Sequence, residues 1–278
     1  MTVESFGSKL LASMKSRGPL CVGIDPHPEL LRAWNLPETV AGLEVFAHTA
    51  VEALAGTVAV LKPQSAFFEA YGSAGIAVLE RLISDARSAG ALVLLDAKRG
   101  DIGSTMAAYA AAYLTEGSPL AADAVTLSPY LGFSSLQPAI ETAKINGRGV
   151  FVLALTSNPE GPALQHAVAA DGRSVAKTIV DGAGAQNRND RPLGSVGLVV
   201  GATVGRTGVD FAAVNGPLLA PGLGAQGGTV ADLRVVFGDN LSGVLPATSR
   251  AVLQAGPSVA ALRSAALVLA DQLREVLQ

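Results

Sequence analysis

The sequence is poor in cysteine and histidine, and both shortages exclude classes of protein. Its single cysteine, Cys21, excludes a disulfide framework and most zinc sites. The three histidines, His27, His48 and His166, are scattered and lack the spacing of metal ligands. We therefore expect no metal site.

Long apolar runs are missing as well, although the chain is strongly hydrophobic. Hydrophobic residues make up 49% of the 278 residues, charged residues make up 15%, and the mean hydropathy is +0.39. A membrane protein has such a composition, and so does an α/β protein whose parallel strands are buried on both faces. No apolar run approaches the roughly 18 residues that a membrane-spanning helix needs, so we expect the α/β protein and no membrane partner.

The N-terminal residues and the overall charge bear on where the protein is located and on what it binds. Residues Met1 to Ser5 carry an acid and lack the basic and then apolar pattern of a signal peptide, so we expect a cytoplasmic protein. The net charge of -3 and the pI of about 5.6 predict no general surface for nucleic acid. An anionic ligand must then be held by a local positive site.

Eight short apolar runs alternate with segments of helical periodicity. The predicted strands are Leu20–Ile24, Val58–Leu61, Ala91–Leu95, Ala124–Leu127, Val150–Ala154, Val196–Val200, Pro217–Ala220 and Gly243–Pro246. The predicted helices are Val3–Ser16, Val40–Ala55, Ser73–Ala89, Ser104–Leu114, Ser134–Lys144, Ser174–Gln186, a short one near Val209, Thr229–Phe237 and Val259–Val276. Such alternation is typical of parallel strands joined by helical crossovers.

Eight units in a chain of this length favour an α/β fold of the (β/α)8 TIM-barrel type over the alternative, a doubly wound open sheet. Polar residues follow many of the strands, and that end is where barrel enzymes carry their active sites. These residues are Asp25, Lys62, Asp96, Ser128, Thr156 and Arg250. We predict a single domain over residues 1–278, with a long polar insertion around residues 157–195.

The densest group of charges follows the third strand, in Asp96–Thr105, DAKRGDIGST. Side chains alternate faces along an extended chain, so Asp96 and Lys98 point the same way, and Asp101 adds a second carboxylate. Burying mixed charges at a strand end costs several kcal/mol unless they pair, so such clusters usually exist for chemistry. The alternative is a solvated turn with one salt bridge.

A glycine-rich stretch, Gly222–Gly227 with the sequence GLGAQG, follows the seventh strand. It fits a dinucleotide-binding pattern, but Asp239 precedes the next strand instead of ending it, and no Lys-Ser/Thr follows as in a P-loop. A flexible surface loop is one alternative. We favour a phosphate-binding loop, because Arg250 follows the eighth strand and these two loops form the usual phosphate site of barrels.

These motifs together resemble the orotidine 5′-phosphate decarboxylase family, especially its type 2 subfamily with a long loop after strand five. The resemblance runs through nearly the whole barrel, in GIDPHPELL (23–31), LKPQSAFFEAYG (61–72), LLDAKRGDIGST (94–105), LSPYLG (127–132), LTSNPEG (155–161), VGAT (200–203) and LAPGLGAQGG (219–228). It implies a cofactor-free decarboxylation of orotidine monophosphate to uridine monophosphate, in the synthesis of pyrimidines.

The resemblance also implies roles for individual residues. Lys62, Asp96, Lys98 and Asp101 would form an alternating charge network in which Lys98 donates the proton to C6 of the pyrimidine. Asp101 and Thr105 would reach into the neighbouring subunit of a homodimer. The substrate would be bound at its ribose by Asp25 and Lys62, at its base by Ser128, and at its phosphate by Arg250, with Gln226 and the adjacent Gly227 on a closing loop.

The sequence departs from the family pattern at one place and leaves two rivals open. Arg250 lies in Ala247–Arg250, ATSR, where many relatives have Gly-Arg-Ser. Barrel enzymes that act on sugar phosphates, including hexulose-phosphate synthase and ketogulonate-phosphate decarboxylase, share a bare D-x-K-x-x-D motif. A metal-dependent enzyme of that kind is therefore one rival, and a non-catalytic barrel that binds a phosphorylated ligand is the other.

Overall fold

The computed structural model describes residues 3–224 and 227–277, and its eight strands form one closed parallel barrel. The strands are β1 (Cys21–Ile24), β2 (Val60–Pro63), β3 (Leu92–Arg99), β4 (Ala124–Leu127), β5 (Gly149–Leu155), β6 (Val196–Val200), β7 (Leu218–Pro221) and β8 (Val244–Thr248). Each strand pairs with the next, and β8 pairs with β1 to close the barrel. The predicted TIM barrel is confirmed.

Helices cover the barrel, and they include four short helices that the periodicity did not predict. They are α1 (Phe6–Arg17), α2 (Pro28–Ala33), α3 (Val40–Leu54), α4 (Ser65–Glu69), α5 (Gly72–Ser88), α6 (Gly103–Leu114), α7 (Gln137–Ile145), α8 (Gly161–Gln165), α9 (Val175–Asn187), α10 (Val230–Phe237), α11 (Arg250–Leu253) and α12 (Val259–Leu277). The short helix predicted near Val209 is a 3₁₀ turn at Ala212–Val214. No helix in the described ranges is long and apolar enough to cross a membrane.

Strand residues alternate between the barrel interior and the layer beneath the helices. In β3, Leu94 belongs to the interior cluster, whereas Val93 and Leu95 pack in the outer layer. Helix α1 closes the amino-terminal end of the barrel with Phe6 and Leu10, which belong to the same interior cluster. The interior cluster is therefore apolar towards the bottom of the barrel, and the charged side chains Lys62 and Asp96 lie at the carboxyl ends of β2 and β3.

The connection from β5 to β6 is the longest one and contains α8 and α9. Helix α9 packs on both strands, as a crossover helix does. Before it, Val168 and Ser174 form an isolated antiparallel bridge that closes a small loop. The single domain with an insertion around residues 157–195 stays a prediction.

Candidate active site

A cavity of about 280 Å³ opens at the carboxyl ends of the strands. Polar side chains line it on the β1 to β4 side, namely Asp25, Lys62, Gln64, Asp96, Lys98 and Thr126. Apolar side chains line it on the β5 to β8 side, namely Leu153, Leu155, Val199, Leu219, Pro221 and Ala247. The cavity thus has a charged wall on one side and apolar side chains on the other, with Arg250 and several hydroxyl groups beyond the apolar residues at the strand ends, which suits a flat ring with charged substituents.

A row of alternating charges crosses the polar wall. Lys62 Nζ lies 3.0 Å from Asp96 Oδ2, and Lys98 Nζ lies 2.7 Å from Asp96 Oδ1. Interior positions of β2 and β3 supply all three side chains, because Asp96 and Lys98 continue the alternation that Leu94 begins. The sequence-based prediction that Asp96 and Lys98 share a face is therefore confirmed, and the alternative of a solvated turn with one salt bridge is wrong.

Asp96 receives four hydrogen bonds. Besides the two ammonium groups, Gln64 Nε2 donates to Oδ2 at 3.0 Å and Thr126 Oγ1 donates to Oδ1 at 2.8 Å. The residue is only 7% exposed. Such a complete set of donors is what a buried carboxylate needs to remain ionised.

The pKa values of the row follow from this geometry. Burial on its own would raise the pKa of Asp96, but Lys62 and Lys98 hold it well below its ordinary value. Burial would likewise lower the pKa of Lys62, and the carboxylates of Asp96 and Asp25 raise it above its ordinary value instead. Cys21 lies deeper in the barrel, where burial raises its pKa to about 12 and keeps the thiol neutral. The ion pair therefore persists across the whole neutral range.

Lys98 is the cation of the row that faces solvent. Its side chain is 45% exposed, whereas the side chain of Lys62 is 9% exposed. Its backbone has a φ of +48°, in the left-handed region that a lysine rarely adopts. Strained backbone of this kind clusters at functional sites. An ammonium group held at the cavity, paired on one side and open on the other, can deliver a proton to a bound ligand.

Asp101 and Thr105 lie apart from this row. Asp101 Oδ1 accepts a hydrogen bond from the backbone N–H of Ile102 at 2.7 Å, and neither residue lines the cavity. Thr105 is exposed in the first turn of α6. Within one chain, the structure thus brings together three of the four predicted network residues, and the predicted contact of Asp101 and Thr105 with a second subunit stays a prediction.

Ser128 is also outside the cavity. Strand β4 ends at Leu127, the backbone N–H of Ser128 donates to the carbonyl of Arg99 at 2.7 Å, and Ser128 does not line the cavity. The strand residue that does reach the cavity is Thr126, two positions earlier, and Thr156 and Ser157 reach it from the end of β5. The residue that was predicted to contact the base is therefore not brought to the site.

The ribose and phosphate candidates lie at the junction of β1, β7 and β8. Asp25 and Arg250 both line the cavity, and Arg250 is exposed there. Asp25 Oδ1 is buried without a hydrogen-bond partner in the described part of the chain, which leaves it available to a ligand hydroxyl. Gly227 does not line the cavity, and Gln226 lies outside the described residues.

Backbone hydrogen bonds connect the two ends of the glycine-rich loop. Gly224 N–H donates to the carbonyl of Gly228 at 2.9 Å, and Gly228 N–H donates to the carbonyl of Gly222 at 3.0 Å. Thr248 Oγ1 donates to the carbonyl of Leu223 at 3.0 Å and ties the loop to β8. The amides of Gly224, Gly227 and Gly228 are therefore bonded inside the loop, and Arg250 supplies the positive charge at this end of the cavity.

Among residues 3–224 and 227–277, no group of three or more histidine, cysteine or acidic side chains is arranged to hold a metal ion. The acid at the centre of the cavity, Asp96, is occupied by two ammonium groups. Its oxygens have no free position for a cation, and a cation beside two lysines would be repelled.

Comparison with known proteins gives the family. A family model described as "Orotidine 5'-phosphate decarboxylase / HUMPS family" matches residues 18–265. A Salinispora tropica protein named orotidine 5′-phosphate decarboxylase is 65% identical over 270 residues, which cover 97% of both chains. A Streptomyces coelicolor protein of the same name is 59% identical over 272 residues, which cover 98% of both chains.

Solved structures agree with these relatives. A crystal structure of a Streptomyces avermitilis protein has a TM-score of 0.97 and 58% identity, and the match covers 100% of this chain and 97% of that one. The OMP decarboxylase of Leishmania donovani has a TM-score of 0.75 and 33% identity, with 98% of each chain covered. Since the family model spans the barrel and the relatives match almost from end to end, this protein belongs to the orotidine 5′-phosphate decarboxylase family.

Proposed function

We propose that this protein converts orotidine 5′-phosphate to uridine 5′-phosphate and carbon dioxide, with Lys98 as the proton donor. The observation that carries the proposal is the charge row, in which an exposed ammonium group rests 2.7 Å from a buried carboxylate at the cavity. The relatives at 65% identity are named for this decarboxylase, which favours it over the sugar-phosphate enzymes of similar fold.

The chemistry needs a cation at the reacting carbon. When the bond from C6 to the carboxylate breaks, carbon dioxide leaves and the electron pair stays in an sp² orbital that the ring does not delocalise. A fixed ammonium group stabilises this charge as it develops, and Lys98 Nζ then gives its proton to C6. The lysine regains a proton from water, so the net reaction consumes one proton and releases carbon dioxide.

Asp96 has two tasks in this scheme. Because its pKa is held low, it stays ionised around neutral pH and balances the two lysines. It also fixes the position of Lys98 Nζ by accepting its hydrogen bond. Placement of a reacting group in advance is worth several kcal/mol of the barrier, because the ordering is done during folding.

The rest of the substrate is held away from the reacting carbon. In this proposal Asp25 and Lys62 bind ribose hydroxyls and Arg250 binds the phosphate, which is supported by their place in the cavity lining. The base contact that Ser128 was expected to make falls to Ser157, which follows β5 at the apolar wall. Binding energy from the phosphate can drive closure of the Gly222–Gly228 loop and the exclusion of water.

The proposed activity is tested by following the absorbance of orotidine 5′-phosphate with the purified protein in excess EDTA. We expect full turnover, because the cation at the reacting carbon is a lysine. Loss of turnover in EDTA, restored by a divalent metal, would support the metal-dependent rival. Tight binding of the nucleotide without turnover would support the non-catalytic barrel.

We also propose that the active unit is a homodimer. Three apolar side chains lie exposed after β3 and β4, namely Ile102 (61% exposed), Tyr130 (77%) and Leu131 (52%). Ile102 is adjacent to Asp101 in the sequence, and Tyr130 and Leu131 lie in the loop after the neighbouring strand. Exposed apolar side chains of this kind are typical of protein interfaces. A second copy on this surface would bring Asp101 to its neighbour's site. The proposed partners are thus the nucleotide and a second copy, while the cytoplasmic location and the lack of nucleic-acid partners stay predictions.

A mixed dimer tests whether the sites are shared. Lys98→Ala and Asp101→Asn chains with different tags are co-expressed, and the dimer that carries both tags is purified. If Asp101 serves the partner's site, one of the two sites carries both changes and the other carries neither. We expect each pure variant to be nearly inactive and the mixed dimer to have about half of the wild-type activity, since a twofold interface is reciprocal.

Two controls accompany this experiment. Ile102→Asp places a charge in the apolar patch, and Ile145→Asp places one at an equally exposed isoleucine, 74% exposed, at the end of α7. In sedimentation experiments, the Ile102→Asp variant should be monomeric. The Ile145→Asp variant should remain a dimer. A mixed dimer as inactive as its parents would mean that Asp101 serves the site of its own chain.

A further inference from the structure

Thr126 is a buried hydroxyl at the centre of the site that the charge chemistry above does not use. It lies on the interior face of β4 and is 1% exposed, yet it belongs to the cavity lining. Its Oγ1 donates to Asp96 Oδ1 at 2.8 Å and accepts from the backbone N–H of Lys98 at 2.9 Å. One hydroxyl therefore joins the carboxylate and the backbone of the lysine that rests on it.

The backbone contact occurs where the sheet is interrupted. The pairing of β3 with β4 is regular at Leu95 and resumes at Arg99 opposite Leu127, with a register shift between them. Lys98 lies inside this irregularity, with its φ of +48°. Left-handed backbone is unfavourable for a residue with a side chain, so it needs a specific partner to persist. The hydroxyl of Thr126 is the acceptor for the amide of that strained residue.

The side-chain contact selects one oxygen of Asp96. Lys98 Nζ and Thr126 Oγ1 both bind Oδ1, whereas Lys62 and Gln64 both bind Oδ2. Both oxygens of the carboxylate are therefore held by two donors each, which fixes the orientation of its plane. Without Thr126, Oδ1 would be held only by the lysine that it has to position.

We propose that Thr126 is a positioning residue for the decarboxylation: it fixes both ends of Lys98, the backbone amide and the oxygen that receives its ammonium group. The inference rests on the proposed role of Lys98 as proton donor. Thr126 bonds the oxygen of Asp96 that holds Lys98, whereas Lys62, assigned to the ribose, bonds the other oxygen, so loss of this hydroxyl should reduce kcat and leave KM nearly unchanged. A displacement of the reacting group by about 1 Å is enough to cost on the order of 100-fold in rate.

The test compares three substitutions at this position. Thr126→Val keeps the shape and removes the hydroxyl, Thr126→Ala removes the hydroxyl without placing a methyl group against Asp96, and Thr126→Ser keeps the hydroxyl. We expect Val and Ala to lower kcat by roughly 10- to 100-fold with KM within about threefold, and Ser to keep kcat within about threefold. Thr142→Val, which removes a hydroxyl bonded within α7, is the matched control and should behave as the wild type.

A second readout follows the lysine itself. By microscopic reversibility, the group that protonates C6 also removes the C6 proton of uridine 5′-phosphate, so exchange of that proton in D₂O reports on Lys98. We expect the exchange rate to fall in Val and Ala in proportion to kcat and to be retained in Ser. A substitution that only destabilised the fold would lower the fraction of folded protein, and all activities would fall together at elevated temperature. The exchange rate per folded molecule would then equal that of the wild type.

Three results would overturn the inference. They are wild-type kcat in Thr126→Val or Thr126→Ala, a rise in KM with kcat unchanged, or a loss in Thr126→Ser as large as in Thr126→Val. Lys98→Ala is run beside these variants. If Lys98→Ala is fully active, the proposed role of Lys98 as proton donor fails and the role of Thr126 fails with it, while the decarboxylase activity itself stands. If Lys98→Ala is inactive while Thr126→Val is fully active, only the role of Thr126 fails.

Discussion

Replacing Lys98 with alanine should remove nearly all turnover while nucleotide binding is largely kept. The lysine supplies both the charge that stabilises the C6 carbanion and the proton that quenches it. General acid catalysis contributes about 10²- to 10⁴-fold and preorganised charge about as much again, so we expect a loss of at least roughly 10⁴-fold in kcat. The rate is measured by the absorbance loss of orotidine 5′-phosphate, and binding is measured by titration with uridine 5′-phosphate.

The control for this variant removes a lysine of similar exposure elsewhere. Lys177 on α9 has a side chain that is 40% exposed and also pairs with an acid, Asp181, so Lys177→Ala deletes a comparable ion pair. We expect it to turn over as the wild type does. Substantial turnover in Lys98→Ala would refute the assignment of the proton donor, and equal losses in both variants would point to a general effect of charge.

Alternation along a strand made the charge row predictable. A parallel strand inside a barrel places every second residue on the interior, so Leu94, Asp96 and Lys98 had to share a face once β3 was identified. The polar residues at the strand ends located the mouth of the barrel for the same reason. The sequence was therefore sufficient to predict the interior strand residues of the site and its central charges.

Residues beyond the end of a strand could not be placed in this way. Alternation stops where pairing stops, and β4 ends at Leu127, so the direction of Ser128 depended on a turn that hydrogen-bonds to Arg99. Applying the alternation backwards from Leu127 would have found Thr126, which has the polar group and the interior position. Its place in an apolar run made it resemble core, because threonine is also a common strand residue.

Three other features could not be derived from strand or helix periodicity. The left-handed backbone of Lys98 results from the interrupted pairing with β4, which a propensity for extended chain does not reveal. Short helices such as α8 and α11, with five and four residues, are too short to show a helical period. The proposed role of Asp101 depends on a second chain, and among the residues that the structure describes its hydrogen-bond partner is the amide of Ile102.

Replacing Asp96 with asparagine should abolish turnover and also destabilise the fold. Asparagine keeps the shape but removes the charge that compensates the buried ammonium group of Lys62, whose side chain is 9% exposed. Removal of one partner from a buried ion pair typically costs about 3–5 kcal/mol, because the remaining charge stays in a poor solvent. We expect a loss of that size in the free energy of unfolding at pH 7, measured by urea denaturation at constant protein concentration.

The pH dependence of this loss identifies its cause. The pKa of Asp96 is lowered by folding, so its contribution to stability is present above the unfolded value of about 4 and declines as the pH falls towards the folded value. The pKa of Lys62 is raised by folding, so its contribution is present below the unfolded value of about 10.4 and is lost as the pH rises further. The difference in the free energy of unfolding between the wild type and Asp96→Asn should therefore be constant from about pH 5 to pH 9 and become smaller below about pH 4.

Asp85→Asn provides the matched control, since Asp85 is an exposed carboxylate on α5. Its stability should stay within about 0.5 kcal/mol of the wild type at every pH, as expected for a surface substitution. A pH-independent loss in Asp96→Asn would indicate a packing defect instead of an unpaired charge. Wild-type stability at pH 7 would mean that Lys62 gives up its proton in the variant at little cost, and the row would then have to exist for catalysis alone.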